Sequence, residues 1–357
     1  MEFKTKKAPI IRNHSRSYKR SLTLHFALIL VTVVSLFIQT RIHTLEDSFN
    51  AILIIVVAVL LSVVFEVFYA LSDKNLQKFE SYQAFVSPIN IALVVALLLP
   101  YSTPIYVVAL AIFIAIYPAK LIYGGDGYYI FNPALVGVLF VQISFESVLT
   151  LVGTPLMLLK ETMEGATHTF DILELFTGEY VGLGLGTTSV ILLSMAFIYL
   201  VVTKVIDLKI SGTFLISMFV LTLIIGYFNG YWLDYVLINM ITGFTIFGAT
   251  FLISETVSSP TSRETKIIYA SIVALMTVMV RVLGGQVEGI VFAVLFGNLL
   301  TPYLNRTVKR SNKKTLIKTL VFVTVLIVGS GIALGYISMN NIEDALESVN
   351  RFGVMLS

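Results

Sequence analysis

Cysteine is absent from all 357 residues. That excludes disulfides, thiolate-held iron–sulfur clusters and cysteine-ligated zinc within this chain. Charge is scarce too: only 13% of residues are Asp, Glu, Lys or Arg, against about 25% in a soluble domain. The four histidines, His14, His25, His43 and His168, are scattered and show no metal-ligand spacing. The formal net charge is only +3, and no nucleic-acid partner is expected.

What fills the chain instead is apolar sequence: 57% of residues are hydrophobic and the mean hydropathy is +0.91. Long apolar runs recur, each able to cross roughly 30 Å of hydrocarbon as a helix. They are continuous and do not alternate with period two, which argues against a barrel. In lipid the backbone has to satisfy its own hydrogen bonds, so continuous runs mean helices. The expected fold is an all-α polytopic membrane protein. Helices are expected at 22–39, 49–71, 82–100, 104–123, 132–152, 188–206, 210–228, 233–253, 265–283, 286–303 and 315–338, giving about eleven spans. The first run follows a basic, polar stretch and reads as a membrane helix, with no cleavage site for a signal peptide.

The placement of Lys and Arg sets the expected orientation. Lys4, Lys6, Lys7, Arg12, Arg16, Lys19 and Arg20 put the N-terminal tail (1–21) in the cytoplasm. Alternating from there, Lys74 and Lys78, Lys204 and Lys209, Arg263 and Lys266, and the cluster from Arg306 to Lys314 all fall inside. The C-terminus, with Glu343, Asp344 and Glu347, is expected outside the inner (cytoplasmic) membrane. A long polar stretch at 153–187 separates a first membrane half (22–152) from a second (188–304), and 305–357 adds a basic loop, a further helix and a tail. Halves with an odd number of helices enter the membrane in opposite senses, so two inverted five-helix repeats plus a C-terminal helix are expected. Gly124-Gly125-Asp126-Gly127 and Gly284-Gly285-Gln286, each leading into a helix, echo one another across the halves.

Four segments stand out for chemistry. Tyr123-Gly-Gly-Asp-Gly-Tyr-Tyr-Ile-Phe-Asn-Pro-Ala134 is a glycine-rich turn feeding an Asn-Pro helix start. Glu164-Gly-Ala-Thr-His-Thr169 lies in the outside loop, ahead of Gly182-Leu-Gly-Leu-Gly-Thr-Thr-Ser189. Phe247-Gly-Ala-Thr-Phe-Leu-Ile-Ser-Glu-Thr-Val-Ser-Ser-Pro-Thr261 ends one helix, and Arg281-Val-Leu-Gly-Gly-Gln-Val-Glu-Gly289 leads into another. In order and spacing this set, over roughly Ser87 to Pro302, resembles the D subunit of the Rnf electron-transport complex. It is similar also to the B subunit of the sodium-translocating NADH:quinone reductase.

The resemblance implies a membrane protein that carries FMN and couples electron flow to sodium or proton translocation. It implies FMN attached through a phosphoester to Thr167, with Gly165 and Ala166 before it. A second, non-covalent flavin would sit between the helical halves. Two positions depart from the family pattern: Glu161 stands where Asp is usual, and Glu164, where Ser or Thr is usual, puts a carboxylate beside a site for an anionic phosphate. Partners implied are other subunits of a redox complex, a flavin transferase, and Na+ or H+.

Individual residues have bland readings alongside. The turn at Gly124, Gly125 and Gly127 either offers amides to an anion or simply turns the chain. Asn132 before Pro133 fits a helix start. Glu66, inside the second span, is an ion-pathway candidate or snorkels to the surface. Glu255, Thr256 and Ser259, with Ser254 and Ser258, form a hard-oxygen cluster for a cation or a set of helix caps. Arg281 either pairs with Glu288, itself an ion-pathway candidate, or contacts a flavin phosphate. Asn298 is expected to hydrogen-bond between helices. The rival function is a flavin-free inverted-repeat channel or transporter for solute or ion.

Overall fold

A computed structural model describes residues 14–42, 44–72, 83–145, 184–187, 189–230, 232–283, 289–307 and 313–355. The helices are α1 (His14–Ile42), α2 (Leu45–Ser72), α3 (Gln83–Leu98), α4 (Ile105–Leu121) and α5 (Pro133–Ser144). After a short 3-10 turn, Leu185–Thr187, come α6 (Val190–Val202), α7 (Leu208–Phe228), α8 (Trp232–Ile241) and α9 (Thr245–Leu252). The chain continues through α10 (Arg263–Leu283), α11 (Ile290–Thr307) and α12 (Lys313–Met355). No strand occurs among the described residues. The chain is an all-α polytopic membrane protein.

Each expected span carries helix, but the spans differ in kind. Five helices are long and apolar enough to cross a membrane alone: Tyr18–Arg41, Leu45–Ser72, Leu208–Phe228, Arg263–Leu283 and Lys314–Asn340. A sixth candidate is the pair α8 and α9, bent by 53° at its break. The apolar helices Phe85–Leu98, Ile105–Leu121, Pro133–Ser144 and Val190–Val202 are shorter, and at 1.5 Å per residue none reaches about 30 Å. Non-helical backbone at such depth is tolerated only where protein surrounds it. Accordingly Ile91 to Pro100, the end of α3 and the residues just past it, is buried throughout.

The long helices are two-faced. On α2, Phe49, Ile52, Val56, Leu60, Val64 and Phe68 are exposed, while Ala51, Ile54, Ala58 and Ser62 are buried. Both sets recur at three- and four-residue spacing, one stripe per face. Lipid takes the bulky face and neighbouring helices take the small one, the usual division where hydrocarbon supplies no drive between helices. On α12, Gly331 and Gly335 lie against Ile224 and Phe228 of α7, and the Asn229 side-chain amide donates to the Ser338 hydroxyl at 3.0 Å.

Packing follows the same order in each half. α2 packs on α3 and α4, and α4 on α5; α7 packs on α8 and α10, and α10 on α11. The halves meet where α1 touches α6, where α5 touches α11, and where the 3-10 turn lies on α1 and α3. At that turn the Leu185 amide donates to the Leu99 carbonyl at 3.1 Å, capping the end of α3. A Cβ on Gly184 would fall 2.6 Å from the Leu97 carbonyl oxygen and 2.9 Å from the Phe244 ring. Only glycine admits that approach of backbone to backbone.

Candidate functional site

The last turn of α4, Tyr117–Leu121, is wound as a π-helix and contains Pro118. A proline lacks the amide that would continue the α ladder, and a π-turn is a common way to absorb such a defect. Lys120 lies on this turn with its side chain wholly buried. Its ammonium is 3.0 Å from Glu66 Oε2 on α2 and 3.3 Å from Asp126 Oδ1 in the following loop. The three side chains form a gradient, 0% exposed at Lys120, 14% at Glu66 and 55% at Asp126. The Ser87 hydroxyl of α3 donates to the same Asp126 oxygen. Glu66 is therefore held in an ion pair and does not merely extend to the surface. Lys120 was not singled out from the sequence, although a lysine inside the apolar stretch 104–123 meets the rule that singled out Glu66.

The chain then turns. Gly124, Gly125 and Gly127 have φ of 104°, 84° and 91°, conformations side-chain-bearing residues rarely adopt. The Gly124 and Gly125 amides donate to the Leu121 and Lys120 carbonyls at 3.0 and 3.1 Å. These two amides thus close the C-terminal end of α4, which removes them as an anion cradle and supports the plain turn. Asn132, also buried, caps α5 by accepting from the Ala134 amide at 3.1 Å.

Across the seam, Tyr129 donates its phenolic proton to Glu255 Oε1 at 3.0 Å, linking positions 126 residues apart. Glu255 also accepts from the Val257 amide at 3.1 Å and from the Ser258 amide and hydroxyl at 2.8 and 2.7 Å. Four donors on one carboxylate organise the turn after α9. The hydroxyls of the expected hard-oxygen cluster do not all converge on it. Ser254 instead accepts from the Asp207 amide at 2.8 Å, Thr256 is exposed, and buried Ser259 donates its amide to the Glu255 carbonyl at 3.2 Å. Nearby, Lys266 pairs with Asp207 at 2.6 Å. Burial raises the Asp207 carboxyl, but bonds from Lys266 and the Lys209 amide, with both cationic charges, outweigh it and hold the group below the usual carboxylate range.

Arg281 on α10 reaches the break between α8 and α9. It donates to the Asn239 carbonyl and side-chain oxygen at 3.1 and 3.3 Å, and to the Thr245 hydroxyl at 2.9 Å. Asn239 belongs to the last turn of α8, whose carbonyls have no helical partner and whose dipole favours a cation. This contact was not legible in the sequence. Glu288, its expected partner, lies outside the described residues, as do Glu161, Gly165, Ala166 and Thr167. Asn298 bonds between helices as expected, accepting from Tyr269 at 3.1 Å. Among the described residues no group of three or more His, Cys, Asp or Glu could hold a metal.

These polar links sort into two ends. One holds Glu66, Ser87, Lys120, Asp126, Tyr129, Asp207, Glu255 and Lys266. The other holds Asn50 with Tyr101, Leu185 with Leu99, and Asn229 with Ser338. Each of these links joins residues that alternate threading of the spans puts on the same side.

Comparison with known proteins adds an independent line. A model of the NQR2, RnfD, RnfE family matches residues 4–314. The chain is 31% identical over 216 residues to the D subunit of the proton-translocating ferredoxin:NAD(+) oxidoreductase complex of Clostridium ljungdahlii. That match takes in 54% of this chain and 64% of the relative, less than two thirds of its length. The chain is 24% identical over 317 residues to the D subunit of the ion-translocating oxidoreductase complex of Aliivibrio salmonicida, covering 76% of this chain and 88% of the relative. Against the B subunit of the Na(+)-translocating NADH-quinone reductase of Ectopseudomonas mendocina it is 26% identical over 213 residues, 53% of this chain and 51% of the relative.

Proposed function

The chain belongs to the NQR2, RnfD, RnfE family, and we propose that it is the flavin-carrying electron-transfer subunit of an ion-translocating membrane oxidoreductase. The observation that carries this reading is a family match running from residue 4 to 314, which takes in Glu164-Gly-Ala-Thr167. In this reading FMN is esterified through its phosphate to the Thr167 hydroxyl on the extracytoplasmic face, where a flavin transferase installs it. A second flavin lies between the helical halves. The flavin supplies the one- and two-electron chemistry. The protein's own part is to fix distances and exclude water with a bundle whose broken helices are tied by Arg281 and Glu255.

Without cysteine the chain ligates no iron–sulfur cluster through thiolates, so partner subunits deliver and remove electrons. Coupling of that flow to Na+ or H+ completes the function. The basic residues near Lys74, Lys204, Lys266 and Arg306 support a cytoplasmic Lys120 end and a C-terminus outside the inner membrane.

The test is in-gel flavin fluorescence of the denatured protein, co-expressed with a flavin transferase, beside Thr167→Ala. A fluorescent band that vanishes in the variant is expected. A dark wild-type band with solute flux in vesicles would instead favour a flavin-free channel or transporter, a reading that draws on the carboxylate of Glu164 beside the phosphate site.

A further inference from the structure

The family match ends at residue 314, at the very start of α12. Beyond it Lys314–Asn340 is long and apolar enough to cross a membrane alone, and the helix packs on α7 and α10. We propose that α7 and α10 present a docking surface for a single transmembrane helix, and that α12 is a separable accessory seated on it, outside a core that keeps its fold without it. The inference concerns how the chain meets other membrane helices and depends on neither the flavin nor ion coupling.

Three observations carry it. The face that α12 offers is one narrow stripe. Val323, Ile327, Gly331, Leu334, Gly335 and Ser338 are buried, three or four residues apart, while Phe322, Val325, Val328, Ile332 and Tyr336 are exposed. Such spacing puts the buried set along a single edge of the helix.

The fit along that edge is selective. A Cβ on Gly335 would lie 2.5 Å from Phe228 Cδ2, and one on Gly331 would lie 2.9 Å from Ile224 Cδ1. Both partners stand on α7, and only small residues four apart let two helices approach so closely in lipid. One turn further on, the Ser338 hydroxyl meets the Asn229 amide at 3.0 Å. The partner this surface fits is therefore a helix with two small residues and then a hydroxyl on one edge.

The Asn229 link, finally, is not one that α7 needs. The same amide donates to the Ile225 carbonyl at 3.0 Å within α7, so departure of Ser338 leaves it bonded. Ile224 and Phe228 are apolar, and lipid suits them as well as a covering helix does.

The test starts from the full-length protein, with a protease site placed between Thr307 and Lys313, purified in mild detergent and then cut. The severed α12 is expected to stay bound through gel filtration. A fluorescent peptide of Lys314–Asn340, added in excess, should replace it while the core stays monodisperse and helical. The peptide carrying Gly335→Leu should bind roughly tenfold more weakly. The peptide carrying Gly329→Leu should bind like the parent, because a Cβ at Gly329 meets nothing within 4 Å. A severed α12 that falls away at once, one that no peptide replaces, a core that aggregates on exchange, or a Gly335→Leu peptide that binds as well as the parent would each overturn the proposal. All of this is read on colourless protein, so failure of the flavin reading and failure of the docking surface are separately visible.

Discussion

Gly137→Ala should destabilise the protein although alanine is the better helix former. Gly137 lies on α5 where it crosses α4, and a Cβ there would fall 2.4 Å from the Ala111 carbonyl oxygen and 3.0 Å from Ala115 Cβ. A carbon and a carbonyl oxygen need about 3.3 Å, so the helices must part by roughly 1 Å. The obstacle is helix backbone, which cannot rotate away. Overpacking of this kind costs about 1–3 kcal/mol, against a propensity gain of at most ~1 kcal/mol. A rigid obstacle belongs at the upper end, giving a net loss of about 2 kcal/mol. Gly329 on α12 is the control, because a Cβ there meets nothing within 4 Å; Gly329→Ala keeps only the propensity term and should be neutral or slightly stabilising. The assay is reversible unfolding of both variants in mixed detergent, read by helicity. A Gly137→Ala protein as stable as Gly329→Ala would refute the reasoning, and would mean that α4 and α5 slide freely. In the expected case, parting α4 from α5 also shifts the turn that carries Lys120.

Arg281→Met should lower stability by about 2 kcal/mol through loss of charge-assisted bonds to Asn239 and Thr245. Arg281→Lys should recover only part of this, since one ammonium cannot reproduce the planar fork; equal unfolding midpoints for Met and wild type would discard the role given to Arg281 at the break. Asp207 supplies a pH test. Its folded pKa is depressed, so its contribution is present above the unfolded value of about 3.9 and disappears as pH falls through the folded value. Stability of the wild type should therefore drop across that acidic window more than stability of Asp207→Asn, and parallel curves would show that the Lys266 pair contributes nothing.

Much of the candidate site was legible residue by residue but not as a set. Glu66 and Asn298 were identifiable because charged or amide groups in apolar runs demand partners, Glu255 because hydroxyls surround it in sequence, and Arg281 as a charge at a helix end. Their partners were not, because Lys120 is 54 residues from Glu66 and Glu255 is 126 residues from Tyr129. The glycine run at 124–127 reads equally as anion cradle or turn; hydrogen bonding to Leu121 and Lys120 decided for the turn. Ser254 and Ser258 both stand near Glu255 in sequence, yet the Ser258 hydroxyl donates to its carboxylate while that of Ser254 accepts from the Asp207 amide.

By itself the sequence determined the environment, the helical fold and the family. Hydrocarbon requires a self-satisfied backbone, and apolar runs of this length meet the requirement in one way. Tertiary structure decided which spans are whole and which are interrupted. The bend of 53° between α8 and α9 and the π-turn at Lys120 persist because other groups complete the hydrogen bonds each break leaves open, a side chain from another helix at the bend and nearby backbone amides at the π-turn. Arg281 does so for the first and the loop glycines for the second. Such completion depends on which helices pack together, and that is a property of the folded bundle.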